Sequence, residues 1–188
     1  MANTDAPNGF VPLRHLTGGV VRPQAYPIAN AYSTSLFSGD LVTLLSDGTV
    51  GIGTNTSNAL GVFYGVQYID RASGDVKFSK VWTASTAIKA NTAATAFVYD
   101  DPNITYEVQG SGTFANANVG ELCNVLFTAG ETTFGGSQQE ANLASLGTTA
   151  LPLRILRLVD APDNAVGADA KLEVVINNHL YGTRASGI

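Results

Sequence analysis

This 188-residue sequence contains two histidines and one cysteine, residue types that often transfer protons or act as nucleophiles in enzymes. Serine hydrolases place a histidine between a serine and a carboxylate, but no serine here lies in a G-x-S-x-G motif. The single cysteine, Cys123, stands in an apolar run, which is typical of a buried and unreactive thiol. His15 and His179 therefore favour structural roles, and we predict that the protein is not an enzyme. A small hydrolase that uses His179 with a serine is kept as an alternative.

The segment Asp100-Asp101-Pro102-Asn103 carries oxygen ligands of the kind that Ca²⁺ takes. Aspartate and asparagine beside a proline are also the residues that a tight turn requires. The sequence lacks the acidic spacing of an EF-hand loop, the glycine-rich phosphate-binding motifs and any C-x-x-C pair. We therefore expect a turn at this segment, and we expect neither a metal nor another cofactor.

Four aromatic residues, Trp82 and the tyrosines Tyr64, Tyr68 and Tyr99, could form a platform on which a sugar stacks. In β-proteins such residues more often fill the core or pair across strands. A carbohydrate-binding or receptor-binding role that uses Trp82 and these tyrosines is therefore a second alternative.

Short runs of apolar and β-branched residues, separated by turn residues, follow one another from Gly39 onward. They predict strands at 40–45, 50–52, 61–68, 76–82, 96–99, 104–109, 123–127, 152–160 and 171–177. Between the first two strands, Asp47-Gly48 predicts a type I′ hairpin turn. So many short strands indicate an all-β fold, either a β-sandwich or a partly closed barrel.

One short helix is predicted over residues 137–147. Ser137 and Glu140 have the spacing of a capping box, Leu143 and Leu146 lie three residues apart, and Gly147 suits the position after a helix. The sequence therefore predicts a single helix on an otherwise all-β frame.

Residues 1–38 have no sustained strand or helix periodicity, and four prolines interrupt them. They are nevertheless too apolar for a disordered tail. We therefore predict an extended N-terminal arm over 1–38, rather than a set of strands, followed by a β-rich domain over 39–188. An apolar arm should lie against its own domain or against a neighbour. The candidate capsid or subunit contact residues are Phe10, Arg14, His15, Leu16, Tyr26 and Tyr32.

The composition excludes several classes of protein. Ten basic residues against 15 acidic ones give a net charge of -5 and a sequence pI of about 4.8, which disfavours binding to nucleic acid. Charged residues make up 13% of the chain, about half of the usual ~25%, and this favours tight subunit contacts. The first residues lack a secretory signal and no apolar run reaches the ~20 residues of a membrane span, so we expect a protein made in the cytoplasm, without a membrane partner.

Four segments spread over nearly the whole chain resemble a group of tailed-bacteriophage virion proteins described as capsid decoration, or cement, proteins. They are Gly9-Phe10-Val11-Pro12-Leu13-Arg14-His15-Leu16-Thr17-Gly18-Gly19; Tyr99-Asp100-Asp101-Pro102 with Tyr106-Glu107-Val108-Gln109; Leu153-Arg154-Ile155-Leu156 with 159–160 and 162–164; and Ala170-Lys171 with 174–179.

The resemblance implies a structural protein on the outer surface of the virion head, assembled in the host cytoplasm. Proteins of this group sit as homo-oligomers, often trimers, on the expanded icosahedral shell, where they bridge copies of the major capsid protein against the pressure of packaged DNA. The resemblance brings no catalytic residues with it. An apolar arm that reaches a neighbour and an acidic surface turned away from the DNA both agree with this expectation.

Overall fold

The structure is a computed structural model that describes residues 3–183, and it is built almost entirely of strands. In chain order these are β1 Val11–His15, β2 Gln24–Ile28, β3 Leu36–Phe37, β4 Leu41–Leu44, β5 Val50–Ile52, β6 Ala59–Ile69, β7 Val76–Ser79, β8 Val81–Trp82, β9 Ala94–Tyr99, β10 Ile104–Ser111, β11 Leu122–Leu126, β12 Glu140–Gly147, β13 Leu153–Leu158, β14 Lys171–Ile176, β15 Asn178–His179 and β16 Gly182–Thr183. A 3₁₀ turn at Asn116–Asn118 is the one helical element in this range. The all-β prediction is confirmed.

Five strands close into a barrel in the order β10-β12-β11-β13-β14. β10 runs parallel to β12 on one side and antiparallel to β14 on the other, and this second pairing closes the ring. Large apolar side chains fill the interior, among them Tyr106, Phe114, Ile155 and Val174, all fully buried. Of the two predicted architectures, the barrel is the one present here, and it is closed.

The predicted helix over 137–147 is wrong, because residues 140–147 form strand β12. The polar residues that suggested a cap have other partners: Ser137 Oγ accepts the Gln139 N–H, and Gln139 Oε1 accepts the Leu41 N–H. Ala141 and Leu143 are buried in the barrel, while Asn142 between them and Ala144 after them are not. This alternation with a period of two, rather than the leucine spacing of three, is the signal that decides the structure.

The second sheet is organised around β6, the longest strand. β6 pairs with β4, β7 and β9 in antiparallel fashion and with β15 through a short parallel bridge. At Gly61 the chain passes so close to β9 that an added Cβ would lie 2.0 Å from the Tyr99 carbonyl oxygen, so a side chain cannot be accommodated there. One face of this sheet covers a second core that contains Leu36, Phe63 and Trp82.

The predicted hairpin between β4 and β5 is present, but its turn is not type I′. Gly48 has a positive φ of 79°, and Asp47 is not among the residues with positive φ. The Gly48 N–H donates to the Leu45 carbonyl, and the Leu45 N–H donates to the Thr49 carbonyl. A type I turn followed by a left-handed glycine therefore connects the strands, a common three-residue hairpin loop.

The N-terminal segment contains three strands, β1, β2 and β3, one in each of the three sheets, so the prediction that it contains no strands is wrong. β1 pairs with the first half of β10, and β2 pairs with β9. Pro12 and Pro27 lie in these two edge strands, where the absence of an N–H donor is tolerated. Residues 3–38 thus pack against the rest of their own chain. Within residues 3–183, no helix has the length and apolar character needed to cross a membrane.

Candidate interaction surface

Phe10, the first predicted contact residue, is buried inside its own chain. Its backbone N–H donates to the Gly39 carbonyl at 2.9 Å, and its ring joins the barrel core. A buried ring is not accessible to a partner, so Phe10 is not available as a contact residue on the surface of the folded chain.

The His15 side chain forms hydrogen bonds that connect the turn after β1 with the turn between β9 and β10. Its Nδ1 accepts the backbone N–H groups of Thr17 and Gly19, so the proton of the neutral ring lies on Nε2, which is 3.0 Å from Asp101 Oδ2. Burial opposes ionisation of Asp101, but hydrogen bonds from the Asn103 N–H and from His15 outweigh it and hold the pKa of Asp101 below its ordinary value. The predicted turn at 100–103 is thus held by its aspartates.

Tyr26 and Tyr32 also make contacts within the chain. The Tyr26 hydroxyl donates to Asp100 Oδ2 at 2.6 Å, and burial together with this carboxylate raises the pKa of Tyr26. The Tyr32 hydroxyl accepts the Ile52 N–H at 2.9 Å, and the Tyr32 carbonyl accepts Trp82 Nε1–H at 3.2 Å. Both tyrosines lie partly buried against the second core.

Arg14 and Leu16 are the predicted contact residues with exposed side chains. Arg14 Nε donates to Glu173 Oε1 at 2.7 Å, while Arg157 Nε donates to Glu173 Oε2 at 2.5 Å. Burial opposes ionisation of Glu173, but hydrogen bonds from Thr105 and the two arginines hold its pKa below its ordinary value. The outer parts of both guanidinium groups face solvent on the barrel wall.

Three of the residues that suggested chemistry, Trp82, His179 and Cys123, lie in the interior. Trp82 is fully buried and so does not present its ring to a sugar. His179 is also fully buried, and its Nδ1 accepts the Tyr181 N–H. Cys123 is buried as predicted, and burial raises the pKa of its thiol to about 12. Within residues 3–183, no group of three or more histidine, cysteine, aspartate or glutamate side chains could hold a metal ion.

The sheet formed by β2, β9, β6 and β7 presents a large uncharged face to solvent. Residues directly opposite one another on neighbouring strands share a face. The register places three rows on the outer face: Ala25, Phe97 and Gly65; Pro27, Thr95, Gln67 and Phe78; and Ile69 with Val76. None of these side chains is charged. We call this set the uncharged face.

A groove of about 480 Å³ lies on the uncharged face, between Phe78 and Phe97. Tyr64 and Pro23 complete its apolar lining, and Lys80 is the charged residue among those that line it. Tyr64 and Lys80 also line a neighbouring cavity of about 350 Å³ that includes Phe134. Phe134 is 82% exposed, Phe78 73% and Tyr64 52%, so three large rings stand in solvent in one region.

The sequence analysis missed this surface, although part of its signal was present. Strict alternation over 76–82 puts Val76 and Phe78 on one side of a strand, but it does not show whether that side faces the core or solvent. The rows across the four strands depend on registers between residues far apart in the chain. Phe134 lies in a turn, where periodicity gives no information.

Comparison with protein-family models, with curated proteins and with solved structures gave no match to this chain.

Proposed function

We propose that this chain is a structural protein of a tailed-bacteriophage virion that decorates the outer surface of the icosahedral head. In this proposal it acts as a homo-oligomer, with a trimer as the expected state, and stabilises the expanded capsid by bridging capsomers of the major capsid protein. The observation that carries the proposal is the uncharged face with its exposed aromatic rings, and the sequence resemblance gives the partner.

A contiguous exposed apolar region is a feature of surfaces that bind other proteins. Aromatic side chains dominate the affinity of such surfaces, and charged groups are depleted at their centres because desolvating a charge is costly. Phe78 on the uncharged face and Tyr64 and Phe134 beside it supply the rings. The three rows of the uncharged face carry no charge, and Lys80 is the charged residue that lines the cavities next to these rings. This surface therefore suits contact with an apolar patch on the outside of the shell.

The proposed mechanism is binding linkage. A protein that binds the expanded shell and has no affinity for the unexpanded shell stabilises the expanded state by the free energy of binding. The rigid barrel gives each copy a fixed shape, so that contacts with two capsomers restrain their separation. The acidic surface, with a net charge of -5, disfavours contact with the packaged DNA.

Co-sedimentation of the purified chain with expanded and unexpanded shells tests the proposal, with sedimentation equilibrium of the free protein to give its oligomeric state. We expect saturable binding to expanded shells at a fixed ratio to the major capsid protein, and no binding to unexpanded shells. Absence of binding, or binding of only a few copies per particle, would contradict a decoration role and favour a role in the tail or in receptor binding.

A carbohydrate-binding or receptor-binding virion protein is the second candidate function, and the exposed rings are the observation that favours it. Tyr64 is half exposed and meets Tyr99 edge to face, with ring centroids 5.6 Å apart. A glycan array tests this candidate, with Tyr64→Ala as the variant that should lose binding. Trp82→Ala is not suitable as the loss-of-binding variant, because the Trp82 ring is buried.

A further inference from the structure

Strand β7 lies at the edge of its sheet without the features that usually protect such a strand. Among the described strands it pairs with β6 alone, so its other side has no partner strand. Proline, a β-bulge or a covering loop commonly protects an edge. β1 has Pro12 and an irregular register, and β2 has Pro27. β7 has neither a proline nor a shift in register, and Val76, Lys77 and Phe78 are exposed.

The backbone groups of Val76 and Phe78 point away from β6. In an antiparallel pair, residues that bond across the pair alternate with residues whose N–H and C=O groups point outward. The Ile69 carbonyl accepts the Lys89 N–H at 2.9 Å on the far side of β6, so Ile69 and its neighbour Val76 do not bond to each other. Alternation gives Phe78 the same outward arrangement. Two N–H groups and two carbonyls thus lie on the open side of β7, and no hydrogen bond from elsewhere in residues 3–183 reaches them.

The side chains along this edge indicate what an added strand would carry. Val76 and Phe78 are exposed and belong to the uncharged face, so the residues opposite them should be apolar. Lys77 lies between them and points to the other face of the sheet. Its Nζ is 3.2 Å from Asp70 Oδ1, but its side chain is half exposed and an ammonium has three donors, so it can donate to a second carboxylate. A segment with the order apolar, acidic, apolar therefore matches β7 residue by residue.

The charges at this edge favour a different protein over a second copy of the chain. Two of the four lysines of the sequence, Lys77 and Lys80, lie here, and Lys80 forms no ion pair within the described part of the chain. If two copies paired through β7 so that Val76 of each faced Phe78 of the other, the two copies of Lys77 would lie directly opposite one another. Like charges in that position are destabilising, whereas an acidic segment is attracted to both lysines.

We propose that β7 binds an extended segment of a partner protein as an additional antiparallel strand, with apolar residues opposite Val76 and Phe78 and an acidic residue opposite Lys77. The added strand satisfies the two outward N–H groups and the two carbonyls, and its apolar side chains extend the uncharged face. The Ser38 N–H donates to the Lys80 carbonyl at 2.9 Å, so the open edge ends there. This inference goes beyond the proposed function and does not rest on it, because it concerns how a partner is bound and not which protein the partner is.

An NMR titration of the full chain tests the proposal, with the Val76 and Phe78 amides as reporters. The probe is a capped peptide of six residues in which valine alternates with glutamate, and its own charges keep it from associating with itself. In the added strand the valine N–H groups face β7 and the glutamate N–H groups point away. N-methylation of the valines therefore removes the donors to β7, and N-methylation of the glutamates is the matched control. A valine–lysine peptide of equal length tests the preference for acidic residues.

A pair of variants at Val76 tests the same bonds from the side of the protein. Val76→Pro removes one outward N–H, at an edge position where proline leaves the pairing with β6 intact. Val76→Thr keeps the N–H and the branched shape of the side chain, so it is the matched control.

We expect saturable shifts of both amides with the valine–glutamate peptide and with its glutamate-methylated form, and the same binding by Val76→Thr. The valine-methylated peptide should bind about tenfold more weakly or worse, and Val76→Pro, which loses one hydrogen bond, about fivefold more weakly. The valine–lysine peptide should also bind more weakly.

Three results would overturn the proposal: no saturable shift, equal binding of the two methylated peptides, or unchanged binding by a folded Val76→Pro protein. A shift of the Phe78 amide with protein concentration alone would overturn it as well, because it would assign this edge to a second copy. Binding of the chain to expanded shells is measured separately, so either result leaves the proposed function to its own test.

Discussion

The rings of Phe10 and Tyr106 meet edge to face, with centroids 6.3 Å apart and planes at 90°. Phe10 precedes β1, and Tyr106 lies in β10 with its ring inside the closed barrel. Both side chains are fully buried. The N-terminal segment is therefore part of the barrel core, and its removal would open that core to water.

Replacing Phe10 with alanine should lower the free energy of unfolding by about 3–5 kcal/mol, because it removes a buried ring and leaves a cavity beside Tyr106. Urea denaturation measures this difference. Val20→Ala is the control, since Val20 is 80% exposed and its truncation should change stability by less than about 0.5 kcal/mol. Equal midpoints for the two variants would show that Phe10 does not belong to the core.

Replacing both Phe78 and Phe134 with serine should weaken binding to expanded shells by about 30-fold or more, as expected when central aromatic contacts are lost. The rings stand in solvent in the free protein, so the unfolding midpoint should change little. Co-sedimentation at a series of concentrations measures the affinity. Val166→Ser, at an exposed valine outside the groove, should bind as the parent does. If the double variant bound with the affinity of the parent, the uncharged face would not be part of the contact with the shell.

Replacing Asp40 with asparagine should change how stability depends on pH. The raised pKa of Asp40, about 6 against an ordinary 3.8, means that the folded protein holds this proton more tightly than the unfolded chain does. The stability that this proton brings is present below pH 4 and is lost as the pH rises to about 6, with a total of about 3 kcal/mol. Asp40→Asn should remove this fall, so urea denaturation of both proteins from pH 4 to pH 7.5 should give converging stabilities at the acidic end. If the stability of the parent and of Asp40→Asn changed with pH in the same way, the raised pKa of Asp40 would be contradicted.

Replacing Glu173 with glutamine should destabilise the protein at pH 7 by about 2 kcal/mol, because two charge-assisted hydrogen bonds from Arg14 and Arg157 are weakened. The pKa of Glu173 is lowered in the folded protein, so the ionised Glu173 stabilises the fold at pH values above its ordinary pKa of 4.5. This stabilisation disappears as the pH falls through the lowered pKa. The difference between parent and variant should therefore shrink in acid. Asp163→Asn, which breaks a surface pair with Lys171, should cost less than about 1 kcal/mol. An equal cost for both variants would refute a special role for Glu173.

Cys123 should react slowly with a thiol reagent in the folded protein and rapidly in denaturant. Its side chain is buried, and desolvation raises the pKa of the thiol to about 12, so thiolate and access are both lacking at neutral pH. The rate of labelling by a chromogenic disulfide measures this protection. Rapid labelling under native conditions would mean that the barrel opens near β11.

Local patterns in the sequence were sufficient to predict most strands and the all-β class. Runs such as 104–109 and 171–177 are rich in β-branched and apolar residues, and they form β10 and β14. The prediction of a helix at 137–147 was wrong because two leucines three residues apart fit a helix, while Ala141 and Leu143 fit a strand. Barrel closure could not be predicted, since it rests on pairings between distant residues such as Thr105 and Val175.

The candidate contact residues were harder to predict than the fold. The candidate contact residues came from the composition of the N-terminal segment, and Phe10 proved to be core while Arg14 and Leu16 are exposed. An apolar residue in a proline-rich segment gives no local sign of whether it packs inward or outward. Phe78 is exposed and Asp40 is buried because of how several strands are arranged around them. The sequence of a single segment does not show that arrangement.

Closure of the barrel by the pairing of β10 with β14 has a consequence for how the protein is made. β10 ends at Ser111, but its partner β14 begins only at Lys171, so the ring cannot form until β14 has been synthesised. Until then, the edge of β10 that pairs with β14 is open. Contacts between residues far apart in sequence slow folding, and unpaired strand edges invite association between nascent chains. A ribosome that pauses before β14 should therefore hold a chain prone to aggregation, and a chaperone that shields this edge should raise the yield of folded protein.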